Sequence, residues 1–171
     1  PLRPPGGGRT QLGPPSAPGS ADCVFTLEMW QGLCVDVKKA PPPLRTCFLK
    51  SIINSWATSH RMNETPLLSC IFGCADQEDN LKHYVSCPCL WTLAASACGL
   101  PLASLPSSPF ERLCIINRTS FSFKLLGVVF RGYHAMKLGQ RSLVDDCLAS
   151  GVFEPVLLKY LEICIELHRH H

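Results

Sequence analysis

Charge is scarce in this 171-residue chain: only 17% of residues are Asp, Glu, Lys or Arg, against 46% hydrophobic. The formal net charge of +3 and a pI near 8.4 permit contact with nucleic acid but fall short of the strongly basic balance that predicts it. No stretch approaches the roughly 18 uninterrupted apolar residues that span a bilayer, and no charged-then-apolar leader opens the sequence. The expectation is therefore an intracellular protein, in cytoplasm or nucleus, without a membrane partner. The apolar content suffices for one core, which predicts one folded domain plus a tail.

What the chain has in excess is cysteine, 11 residues, an odd number. Complete internal pairing is impossible, and disulfide-rich domains belong to secreted chains, so reduced thiols with a metal-binding subset are expected. Residues 1–21 are almost wholly Pro, Gly, Ser, Arg and small side chains. Such a segment buries too little apolar surface to offset its ordering entropy and reads as a disordered arm. The chain opens on proline, which reads as a piece of a longer protein.

Downstream, residues 22–43 hold two short apolar runs around Gln31-Gly32, consistent with a short β-hairpin over 23–37, followed by the prolines Pro41 to Pro43 as a linker. Helical periodicity is clear from Leu44 to Thr58, where Phe48, Leu49, Ile52, Ile53 and Trp56 share one face. Shorter helices are predicted over Leu81–Ser86 and Cys89–Cys98, the latter closed by Gly99, with a loop from Leu100 to Pro109. Two longer ones follow, Phe121–Leu138 and Glu154–Arg169. The predicted fold is mainly α: a helix plus a zinc-binding knuckle over 44–100, and a helical tail over 101–171.

The knuckle is read from Cys70, Cys74, His83 and Cys87, spaced C-x3-C-x8-H-x3-C. Thiolates and imidazole suit Zn2+, Gly73 lets the backbone fold back between the first two sulfurs, and His83 and Cys87 lie four apart on one predicted helical face. Four protein ligands make a closed, structural site, because catalytic zinc keeps a position for water. Cys89, two residues on, is an alternative to Cys87 should the helix fray at Pro88; helical register favours Cys87. Asp79, one turn before His83, is the candidate carboxylate to receive the second ring N–H of that histidine. Cys23, Cys34, Cys47, Cys98, Cys114, Cys147 and Cys164 read as ordinary core thiols.

These residues carry a resemblance. Cys70-x-Phe72-Gly73-Cys74, then Glu78-Asp79, then His83-Tyr84-x-x-Cys87-Pro88 and Trp91, preceded by Trp56-x-Thr58-Ser59-x-Arg61, is similar to the zinc-binding region that follows the polymerase of non-LTR retrotransposon reverse transcriptases. It spans about residues 44 to 95 and differs in the three-residue gap between the first cysteines, commonly two in that family. The resemblance implies an upstream polymerase domain of the same polyprotein as one partner and template or target RNA or DNA as another.

Polymerase chemistry itself is not expected of this stretch, since it needs an aromatic-x-Asp-Asp turn to hold two metal ions, and the nearest string is Leu143-Val144-Asp145-Asp146. Nor does any local pattern pair a cysteine with a histidine and an orienting group for hydrolysis. Two non-enzymatic functions remain. In one, His60, Arg61 and Lys82 reach phosphates and Tyr84 stacks on unpaired bases. In the other, the module only docks on the polymerase. Phe72 and Trp91 read as the miniature core of the zinc site.

Overall fold

The computed structural model describes residues 26–116 and 119–170. These are mainly helical, and no extended strand occurs among them.

Where a hairpin is expected, the chain forms helix α1, Leu27–Lys39. Thr26 caps it by accepting from the Met29 N–H, and Glu28 at its start and Lys38 and Lys39 at its end complement the helix dipole. Gln31-Gly32 therefore lies mid-helix, because a capped helix satisfies the backbone locally whereas a two-stranded ribbon here has no third strand to lean on. Residues 23–25 of the expected hairpin, and the arm before them, lie outside the described residues.

Pro42 pre-sets the first turn of α2, Pro42–Ile52, which buries Leu44, Cys47, Phe48 and Ser51 along one side. The helix stops six residues earlier than its periodicity suggests. Asn54 takes a left-handed conformation, φ 53°, and the chain doubles back so that Trp56 enters the core and its Nε1 donates to Ser51 Oγ at 3.1 Å. A single turn, α3, Ser59–Met62, is capped by Thr58.

After a single turn, α6, Pro109–Arg112, comes the centre of the molecule, α7, Ser120–His134, which buries residues around most of its circumference, from Phe123 to Tyr133. Helices α2, α5 (Pro88–Ala97) and α9 (Glu154–Arg169) pack against it. One continuous hydrophobic cluster runs from Leu33 to Cys164, so the cysteine-rich segment and the tail share a core. At Gly132 the approach of α9 is closest: a Cβ there would stand 2.8 Å from Cys164 Sγ and 2.9 Å from the Tyr160 ring. Beyond His134 the helix widens into one π-helical turn, Ala135–Gly139, before α8, Arg141–Ser150. That wider turn carries Lys137 inward, to 1% exposure.

Candidate metal centre

A tight loop supplies the first two sulfurs. Asp79 N–H donates to Leu68 O at 2.9 Å and Cys70 N–H to Gln77 O at 2.8 Å, closing residues 68–79 as a narrow antiparallel turn with a single bridge between Ser69 and Glu78. Inside it the Gly73 N–H returns to Cys70 O at 3.0 Å. Gly73 has φ +78°, and a Cβ there would strike the Phe153 ring at 2.6 Å, so both backbone freedom and space call for glycine.

The other two donors come from a break between helices. Asn80 caps α4, Leu81–Ser86, by accepting from the His83 N–H at 2.8 Å, which fixes the rotation of the helix and points His83 at the loop. Cys87 lies one residue past α4, at the junction where it also precedes Pro88 at the start of α5. It joins the cluster from a helix end, where the sequence reading placed it on the helical face beside His83.

The Cys70, Cys74 and Cys87 sulfurs and a ring nitrogen of His83 all lie within 4.8 Å of one another. Cys74 Sγ is 3.6 Å from Cys87 Sγ. Two sulfurs on a tetrahedral zinc at about 2.3 Å stand about 3.8 Å apart, so this spacing matches the ion. Cys70 and Cys87 are fully buried and Cys74 half-buried. His83 is 9% exposed, and its Nε2 is buried with no hydrogen-bond partner. An orphaned imidazole nitrogen beside three thiols is costly unless a metal satisfies it.

Electrostatics point the same way. Hydrogen bonding from Cys87 lowers Cys70 to about 5, while burial, with the neighbouring Cys70, pushes Cys74 up to about 12. Cys87 is raised as well, first by giving its proton to the Cys70 hydrogen bond and then by burial. One thiolate can form among these sulfurs, and its charge opposes the others. A divalent cation removes that opposition, so the residues fit a metal ion.

The expected partner of His83 is elsewhere. Asp79 is fully buried, but its carboxylate accepts from Ser59 N–H at 2.7 Å, Tyr133 O–H at 2.8 Å and Lys137 Nζ at 2.6 Å, not from His83. It precedes the cap residue Asn80 and so stands outside α4, where helical register with His83 does not apply. Lys137 also meets Glu64 at 3.3 Å, and Glu64 meets Arg141 at 3.4 Å. This network went unseen in the sequence because its two groups, Ser59, Glu64 and Asp79 on one side and Tyr133, Lys137 and Arg141 on the other, lie more than 50 positions apart, and Lys137 sits in a helix that reads as amphipathic.

Of the nucleic-acid candidates, His60, Arg61 and Lys82 are exposed or partly so, and His60 and Lys82 line one shallow cleft with Glu78 and Asn80. Tyr84 is not available for stacking. It is fully buried, its hydroxyl accepts from Ile71 N–H at 3.2 Å, and its ring packs on Trp56, Phe72 and Tyr133. A hydroxyl that closes the ligand loop cannot also face solvent. Phe72 and Trp91 are buried as expected, the first against Tyr160 at 4.8 Å, the second with Nε1 donating to Tyr84 O and Arg112 over its face at 5.0 Å.

Comparison of the chain with protein-family models, with curated proteins and with solved structures found no match.

Proposed function

We propose that this chain carries a structural, non-catalytic zinc site held by Cys70, Cys74, His83 and Cys87, in a module of the kind that follows the polymerase of non-LTR retrotransposon reverse transcriptases. The observation that carries the metal assignment is the buried, unpartnered His83 Nε2 among three thiols. Zinc is the ion that suits three thiolates and one imidazole at this spacing. Bound there, it would join the 70–74 loop to the α4–α5 junction. All four positions come from protein, which leaves none for substrate. The retroelement assignment is supported by the motif residues around the ligands, and within it His60, Arg61 and Lys82 are the side chains that would meet the phosphates of RNA or DNA.

A second reading is supported by a different surface. Helix α1 buries only Leu33 and exposes Leu27, Trp30 and Val35, and the end of α2 exposes Leu49, Ile52 and Ile53. Such a face suits docking on the upstream polymerase domain without direct nucleic-acid contact.

Native mass spectrometry of the reduced chain, with and without chelator and beside His83→Ala, tests the metal. One zinc per chain, lost in the variant, is the expected result, and a folded chain with no zinc would overturn the assignment. RNA and DNA binding across a salt series then separates the two readings. Affinity should fall steeply with salt, and Lys82→Ala should lower the logarithmic slope by about 1. Absence of salt-dependent binding by the zinc-loaded chain selects the docking reading.

A further inference from the structure

A fifth sulfur touches the cluster without belonging to it. Cys89, the second residue of α5, places its Sγ 3.9 Å from Cys74 Sγ. The four-donor group is complete without it. Resting on the metal assignment above, we propose that Cys74 and Cys89 are a peroxide-sensitive thiol pair whose oxidation to a disulfide opens the metal centre.

Accessibility selects this pair. Cys74 and Cys89 are half-buried, whereas Cys70 and Cys87 are fully buried, so an oxidant from solvent meets Cys74 first among the ligands. Position selects the resolving partner. Cys87 is slightly nearer to Cys74, at 3.6 Å, but it is fully buried and is itself one of the four donors of the cluster. Among the described residues, Cys89 is the one thiol beside the cluster with no ligand role. Cys74 lies in the irregular loop, which can yield by the roughly 2 Å needed to reach an S–S bond of about 2.05 Å.

The chemistry balances with hydrogen peroxide or an organic hydroperoxide as the oxidant. The Cys74 sulfur, a thiolate when it serves as a ligand, takes a hydroxyl from the peroxide as the O–O bond breaks, and the remaining oxygen leaves as hydroxide, or as an alkoxide, and takes a proton from water. The Cys89 sulfur then attacks the Cys74 sulfur, its S–O bond breaks, and the hydroxyl leaves as a second water with the Cys89 proton. The two sulfurs have lost two electrons and the peroxide has gained them. Only Cys70, His83 and Cys87 remain as donors, too few to close a structural site. The state is reversible by thiol reductants.

The test uses the full chain, reduced and loaded with zinc, treated with hydrogen peroxide. Release is read with a chromogenic zinc chelator, and disulfides are mapped by peptide mass spectrometry without reduction. The expected result is one zinc released, a Cys74–Cys89 disulfide, and recovery of binding after dithiothreitol. Cys89→Ala should bind one zinc when reduced and release it about tenfold more slowly under peroxide, because the neighbouring thiol's proximity is lost. Equal release rates in the two proteins, a disulfide that omits Cys89, or a reduced Cys89→Ala that fails to bind zinc would each overturn the proposal. If reduced wild type binds no zinc, the metal assignment fails and metal release with it, while the disulfide map still decides separately whether the thiol pair exists.

Discussion

Replacing Lys137 by methionine removes one charge from the interior and leaves another stranded. Lys137 Nζ and Asp79 Oδ2 are 2.6 Å apart at 1% and 0% side-chain exposure, so neither group recovers hydration when its partner is lost. Breaking such a pair from one side costs about 3–5 kcal/mol. Asp79 keeps its bonds from Ser59 and Tyr133, which places this case at the lower end, about 3 kcal/mol. For a chain of this size that corresponds to a fall in Tm of roughly 6–12 °C. Because Asp79 also ties the backbone of the ligand loop through its N–H to Leu68 O, zinc should become easier to strip from the variant. Urea unfolding followed by circular dichroism and by tryptophan fluorescence, with zinc and reductant present, gives the cost; competition with a chelator gives the affinity. The double variant Lys137→Met with Asp79→Asn should be more stable than Lys137→Met alone, since the stranded charge is gone. The reasoning fails if the single variant costs less than about 1 kcal/mol, or if the second substitution adds to the damage.

Gly132→Ala should destabilise by about 1–3 kcal/mol, because the new methyl meets Cys164 and the Tyr160 ring across two packed helices, whereas Gly127→Ala meets only the tip of Leu44 and should be near neutral; the same unfolding curves check both. His134 supplies a pH dependence. Burial lowers its pKa, its Nδ1–H donates to Phe130 O at 2.8 Å, its Nε2 accepts from Ala57 N–H at 3.2 Å, and Lys50 nearby disfavours further charge. The folded state therefore binds its proton less readily than the unfolded state, so its contribution is fully present above the ordinary histidine range, near 6.5, and is lost as pH falls below it. His134→Gln, which can still accept from Ala57, should lose less stability than wild type between neutral pH and mildly acid pH; equal losses count against this account. Asn80→Ala removes the α4 cap and should cost about 1 kcal/mol while weakening zinc binding, since the same bond orients His83.

The features legible in the sequence are those whose cause is local. The C-x3-C-x8-H-x3-C spacing identifies a donor set that the fold brings within 4.8 Å, and Pro88, Gly99 and the periodicity of Glu154–Arg169 place both ends of α5 and of α9 to within a residue. Errors begin where a local signal competes with a distant partner. Asp79 has the right register for His83 only if α4 begins before it; the side chain of Asn80 starts the helix one residue later, and the freed carboxylate is claimed by Tyr133 and Lys137. Tyr84 looks like an exposed aromatic beside a candidate metal ligand, yet its neighbours Trp56, Phe72 and Tyr133 arrive from three other segments and bury it. Lys137 continues the polar face of α7 on paper; a single π-helical turn shifts its register and carries it inside. Asp79, Tyr84 and Lys137 meet in one place, the seam between the ligand loop and the end of α7. The apparent periphery of the cysteine–histidine cluster is therefore the interior of the larger fold, and a substitution there should register first as stability and only through stability as metal affinity.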